Sequence, residues 1–423
     1  MRMSERAAER PATDARADEA RHDVVVVGAG AVGLLLGCLL AQRGIDVVVL
    51  ERRMSRGSGR SRAIGIHPPG LRALARAGVE AEVVASAVPI RGGRATCEGR
   101  TLGTMRFGGG SGGGRGGGVG GGSADAGDGR SARRGAHGAA VLSLPQLETE
   151  AILEARLAGM RPDGIRRGVE VRAVHDRGAD VQVDAFADGA SLMLTARYVI
   201  GADGVRSGIR TALELGWRAR RGRAQYVMCD TRDDTGEPET ALLHFEPAGV
   251  VESFPMPGGR RRWVAWVRRA PARLTADTIA AIVGSRTGGA FDVEAASEPS
   301  AFEARQHLAD RMAVGRIALA GDAAHEISPI GGQGMNLGWL DALRLDRDLA
   351  AALAVGAPFE AFEVYDRVRR AAARRAVRRA AFNMSVGAPS SGLRLRVRNA
   401  SVRTLDLPPL RALLARAFTM RGL

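Results

Sequence analysis

Apolar residues in this chain gather into short unbroken runs, and three of these runs end in glycine and an acid. Val24–Val27 is continuous and β-branched, the pattern of a strand buried on both faces. Gly28-Ala-Gly30-Ala-Val-Gly33 follows at once and opens an apolar stretch that predicts a helix to about Arg43, closed by Gly44. Val47–Leu50 predicts a second buried strand with Glu51 at its carboxyl end. Tyr198–Ile200 reads as a strand end running into Gly201-Ala-Asp203-Gly204. Arg316–Ala320 reads as a strand leading to Gly321-Asp322, a Pro- and Gly-rich loop and a long apolar-periodic helix. Between these last two lie alternating strand-like runs, Ala241–Phe245, Val250–Phe254 and Arg262–Val267.

Other stretches lack such a pattern. Residues 1–21 are polar, acidic and basic in alternation, without the apolar core of a signal peptide, and predict a disordered tail. Residues 108–122 read GGGSGGGRGGGVGGG and continue as a polar run to about Gly138, which predicts a flexible loop. The G-x-S-x-G from Gly109 to Gly113 has meaning only between a strand and a helix, and polyglycine supplies neither. From about Ala371 the chain is rich in arginine, and residues 404–418 have helical apolar spacing that suits a docked helix or a dimer contact. No stretch reaches the roughly 18–20 apolar residues of a membrane span.

Composition narrows the class. The chain has 423 residues, enough for one large or two medium domains, and 45% of them are hydrophobic, so it can bury a core. All 61 basic residues are arginine, which gives a net charge of +15, but they are spread along the chain and no nucleic-acid module appears. A general attraction to anionic substrates or cofactors is the simpler reading. Cys38, Cys97 and Cys229 lie far apart, which suits reduced thiols and a cytoplasmic setting. The histidines show no metal-binding spacing.

The first run is a dinucleotide fingerprint. Gly28 makes the tight turn, Gly30 lets the backbone approach a pyrophosphate, and Gly33 lets helix and strand pack closely. Glu51, 18 residues beyond Gly33, is placed to accept from ribose hydroxyls, which favours FAD or NAD over NADP. At the third run, Asp322 can take a sugar or polyol hydroxyl. The amides of Gly334, Met335 and Asn336 point at whatever sits over the helix N-terminus.

In order and wording, these three motifs resemble the single-component FAD-dependent aromatic hydroxylases, the para-hydroxybenzoate hydroxylase family with its ubiquinone-biosynthesis and polyketide-tailoring branches. The resemblance covers about residues 22–380. It implies an α/β fold: a Rossmann-like FAD-binding domain of the GR2 type, an interleaved β-sheet substrate domain and a C-terminal helical segment. The FAD-binding domain would comprise residues 22–92, 139–214 and 301–370, the substrate domain 93–138 and 215–300, and the helical region 371–423.

The resemblance also assigns cofactor contacts to Gly28, Gly30, Gly33, Glu51, Arg52, Arg62, Gln146, Asp203 and Asp322. Gly332, Gly334, Met335 and Asn336 would lie at the flavin ring, with Pro329 in the loop beside it; Ser328 stands where many members have proline. It implies NADPH or NADH as a transient co-substrate and O2 as oxidant, with one oxygen passed from a flavin C4a-hydroperoxide to a phenolic, quinonoid or polyketide-type ring. Phe245, Phe254 and Trp263 are candidates for the substrate wall, and a homodimer is compatible. Two alternatives share the cofactor site: a reductase of the geranylgeranyl-reductase type, and a flavin-binding partner protein without catalysis. A halogenase is excluded by the lack of lysine. A thioredoxin-like domain carried by some relatives is not expected.

Overall fold

The computed structural model describes residues 20–57, 63–107, 141–329, 332–355, 360–407, 410 and 420. The tail, the glycine tract, Arg62 and most of the 404–418 helix therefore lie outside the described residues.

The apolar runs form the centre of an eight-stranded sheet. Arg21–Val27 pairs in parallel with Val47–Glu51 on one side and with Ala190–Gly201 on the other. Ile165–Arg167 extends the sheet beyond Val47–Glu51, and Ile317–Leu319 lies parallel to the end of Ala190–Gly201. The four residues of the fingerprint strand's apolar run are buried, as are Val47–Leu50, in one core with helix Ala31–Gln42 and the strands Glu170–Asp176 and Val181–Ala187. Helix Ala31–Gln42 begins at Gly30, an N-cap residue with no side chain of its own to cap the first turn. Its partners are helices Gln146–Met160 and Gln333–Val355. Trp339 fixes the second of these by donating from Nε1 to Ala31 O at 3.0 Å.

A seven-stranded sheet forms the other half. Its order is Ser300–Ala304, Ala224–Arg232, Arg260–Val267, Gly249–Met256, Thr240–Glu246, Gly92–Cys97, Arg100–Arg106, antiparallel except where Thr240–Glu246 runs parallel to Gly92–Cys97. One face packs on helix Ala276–Thr287, which starts at Thr275, whose hydroxyl accepts from Thr278 N at 3.2 Å, and ends at Gly288 with φ +65. The core of that face is Val227, Val251, Trp263, Ala265, Ile279 and Val283. This corrects the sequence expectation for Trp263: it lies on the helix side of the sheet, away from the pocket wall. Strand alternation turns Tyr226, Met228, Val250 and Val264 to the opposite face, where Met384 packs against them.

Helix Glu360–Gly387 touches both halves. Near its start Tyr365 donates to Leu319 O at 2.7 Å, and near its end Gly387 abuts Val250. Helix Gly392–Leu405 follows and lies over Arg100–Arg106. No helix among the described residues is long and apolar enough to cross a membrane.

Candidate functional site

Four parallel strands end side by side, and three of the tips each carry one of the acids from the sequence motifs. Gly28 N donates to Leu50 O at 2.7 Å, Ala202 N to Val27 O at 2.8 Å and Ala320 N to Gly201 O at 2.9 Å. Glu51, Asp203 and Asp322 therefore stand at the same edge of the sheet.

The glycines shape this edge by steric necessity. Gly28 has φ +107, and a Cβ there would lie 2.5 Å from Ala202 O. A Cβ on Gly33 would fall directly on Gly28 O. At Gly30 the nearest atom to a Cβ would be Glu150 Oε1 at 3.8 Å, so the backbone there leaves space for a ligand.

Glu51 is 5% exposed. Its Oε2 accepts from Ala29 N at 3.0 Å, and its Oε1 from Arg53 N at 3.0 Å and Arg53 Nε at 2.9 Å. Burial works against its charge, but the hydrogen bonds from Arg53 and Ala29 outweigh it and hold the carboxyl below its ordinary value. The arginine paired with Glu51 is thus Arg53, while Arg52 is exposed.

Gln146 opens helix Gln146–Met160 and donates to Glu150 Oε1 at 2.7 Å. The same oxygen accepts from Ala31 N at 3.0 Å, so a carboxylate sits at the N-terminus of the fingerprint helix. Burial pushes the Glu150 carboxyl up. Sequence reading missed Glu150, which lies 119 residues from Ala31. Its one local signal is its position a helical turn after Gln146.

Asp203 Oδ2 accepts from Ile209 N at 3.2 Å and so anchors the short helix Gly208–Ala212. Its Oδ1 is buried and has no hydrogen-bond partner among the described residues. Asp322 is exposed in the single turn Gly321–Ala323. That turn is fixed from below by Asp341, fully buried, which accepts from Gly321 N at 3.0 Å and Arg369 Nε at 2.6 Å and shares a 2.6 Å hydrogen bond with His325 Nε2. His325 is therefore a strut of the turn.

Gly332, with φ +64, donates from its N to Pro329 O at 2.9 Å and closes the loop before helix Gln333–Val355. Gly334, Met335 and Asn336 lie in the first turn. The buried Asn336 side chain accepts from His67 N at 2.9 Å and donates to Gly65 O and Gly332 O, each at 2.8 Å. Its side chain is thus spent on joining the helix start to residues 65–67; Ser328, beside this loop, is buried.

One cavity adjoins the loop, and a second shares part of its wall. The smaller, about 60 Å³, is lined by Gly65, His67, Phe254, Arg262, Pro329 and Gly332 among others. The larger, about 600 Å³ and mainly apolar, lies between the seven-stranded sheet and the two C-terminal helices, with Phe245 in its wall. Ala241 and Glu252 line both.

Parallel strand tips, a glycine-opened helix start and an acid on each neighbouring tip define an FAD-binding α/β protein. The orphaned Asp203 oxygen and the space over Gly30 fit that cofactor. The FAD binding domain family matches residues 21–380, and the chain belongs to it, among the FAD-dependent aromatic monooxygenases. It is 29% identical over 366 residues to 12-dehydrotetracycline 5-monooxygenase/anhydrotetracycline 6-monooxygenase of Streptomyces rimosus, covering 83% of this chain and 67% of the relative. It is 30% identical over 364 residues to a rifampicin monooxygenase of Rhodococcus hoagii, covering 82% and 68%. The chain thus spans about two thirds of the length of these curated relatives. The solved anhydrotetracycline hydroxylase OxyS of Streptomyces rimosus superimposes with a TM-score of 0.73 at 26% identity, covering 95% of this chain and 76% of that one.

Proposed function

We propose that this protein hydroxylates an aromatic small molecule of phenolic, quinonoid or polyketide type, using NAD(P)H and O2. The observation that carries the reading is the apolar cavity that reaches, through shared walls, the Pro329–Gly332 loop. Relatives that act on tetracycline-type molecules and on rifampicin support it over a reductase or a silent flavin protein.

When bound, FAD supplies the reduction of O2 with electrons from NAD(P)H and the delivery of one oxygen atom to an electron-rich ring. The chain supplies the rest. Glu51 accepts from the adenosine ribose, and the helix start at Gly30 faces the pyrophosphate. Asp203 and Asp322 take polar groups further along the cofactor. The first-turn amides of helix Gln333–Val355, at Gly334, Met335 and Asn336, stabilise negative charge on the flavin pyrimidine. Phe245 and Phe254 exclude water from the ring to be attacked. The single fingerprint leaves the nicotinamide coenzyme to bind transiently, and three buried free cysteines suit a reducing compartment.

The test is a reaction run under isotopically labelled O2 with phenolic and quinonoid candidates. One labelled oxygen in the product, with NAD(P)H consumption accelerated by that compound, is the expected result; turnover that leaves the product unlabelled would assign a reductase. Glu51→Ala is expected to leave Ala29 N buried without its acceptor, at about 1–3 kcal/mol. Flavin affinity should fall about 10- to 100-fold in titrations of the apoprotein with FAD. An unchanged titration would move the ribose elsewhere.

A further inference from the structure

The two cavities meet at Glu252. It is the one charged residue in the strand Gly249–Met256, and its cross-strand neighbours are Leu243 and Val264. The residue is 7% exposed, and among the described residues its carboxyl has neither hydrogen bond nor ion pair. The other buried charges of this sheet are matched: Arg262 by both oxygens of Asp230, at 2.7 and 2.8 Å, and Arg261 by Asp233 at 2.9 Å. Glu246 accepts from Glu98 N at 3.1 and 3.0 Å. A lone carboxyl in an apolar wall is costly, and a hydrophobic residue of similar size would pack there without that cost. Glu252 caps no helix and braces no loop, so its role must lie in what the cavity holds.

We propose that Glu252 receives the hydroxyl proton of an extended, largely apolar phenolic substrate whose body fills the larger cavity and whose reacting ring faces Pro329 and Gly332. This rests on the hydroxylase reading above. The phenolic O–H bond breaks, the proton passes to a Glu252 oxygen to give the neutral acid, and the bonding pair stays on the phenolic oxygen. No electrons leave the pair of groups. The phenolate enriches the carbons ortho and para to it, where an electrophilic oxygen is delivered. About 600 Å³ suits a molecule of several fused rings rather than one.

Burial pushes the Glu252 carboxyl up to about 7, so the group changes charge near the working pH of a general base. The other titratable or charged groups lining these cavities are His67 and Arg262 in the smaller, and Arg394, Arg398 and Asp406 in the larger. The buried Tyr226 hydroxyl lines neither cavity; burial and then the Glu252 charge raise it, which keeps it neutral.

The experiment titrates the FAD-loaded protein with 2-hydroxyanthraquinone and with hydroxyl-free anthraquinone, followed by absorption. At a pH where the free hydroxy compound is neutral, the wild type should bind it with a phenolate spectrum. Affinity should weaken about tenfold as pH falls through about 7, because a protonated Glu252 takes no proton. E252Q should retain FAD, bind the hydroxy compound about tenfold more weakly above that pH, keep it as the phenol and lose the pH inflection. Anthraquinone should bind both proteins equally. Identical spectra and pH profiles for wild type and E252Q, or no binding of either compound, overturn the proposal. If E252Q does not fold, Glu252→Asp decides it by the same spectrum. Labelled-oxygen incorporation is read separately, so a wild type that shows the phenolate band yet never transfers oxygen would fail the hydroxylase reading and not the role of Glu252.

Discussion

Gly28→Ala is expected to purify colourless and to melt well below the wild type. Two costs coincide at this position. The backbone has φ +107, which an L side chain rarely adopts, at about 1–3 kcal/mol. The added Cβ would also press on backbone that cannot turn aside, Ala202 O at 2.5 Å and Asp203 Cα at 3.0 Å, for about 1–3 kcal/mol more. The strain is relieved only by spreading two strand tips that both face the cofactor, so flavin is lost along with stability. Absorbance near the flavin band and a thermal melt measure both. Gly44→Ala is the control: its φ is +73 but no atom lies within 4 Å of a Cβ, so about 1–2 kcal/mol is lost and the protein stays yellow. A yellow Gly28→Ala protein with an unchanged melt would detach this tip from the site.

Asp341→Ala should cost about 3–5 kcal/mol, because it strands a buried guanidinium. Arg369 is 6% exposed and His325 is fully buried. Burial opposes ionisation of Asp341, but the charges of Arg369 and then His325 outweigh it and hold the carboxyl below its ordinary value. A depressed carboxyl stabilises above its unfolded value, and that contribution is lost as pH falls through the still lower folded value. The stability gap between wild type and Asp341→Asn, measured by denaturant unfolding, should therefore be constant near neutrality and narrow only below about pH 4. A gap that closes between about pH 5 and 7 would mean that another group governs the turn. Flavin affinity should drop in the same variants, since the turn carries Asp322.

The sheet edge was legible because its signals are local and backbone-dictated. Gly28 answers to its own φ of +107 and Gly33 to the Gly28 carbonyl five residues before it, and Glu51, Asp203 and Asp322 each follow an apolar run that reads as a buried strand. Glu150 and Arg53 were not, for different reasons. Glu150 acts on Ala31 across 119 residues, and Arg53 was one arginine beside another. Asn336 was read through its backbone amide, and nothing local announced that its side chain would close onto Gly65 and His67. Trp263 falls on the helix side of a sheet that is covered on both sides by apolar material, so alternation alone could not say which face lay toward the cavity. Glu252 had one visible signal, a solitary charge in an otherwise uncharged strand.

Helix Glu360–Gly387 acts as a splint. Twenty-eight residues of helix extend about 40 Å, and the rod is hydrogen-bonded to the strand tip at Leu319 and to Asp341 and packs on the far sheet at Val250. A clamshell motion of one half against the other would have to break this rod or tear it from one of those seats. Traffic into the large cavity must then pass by local rearrangement around its rim, at Phe382, Leu393 and Val397, where apolar side chains already stand in water.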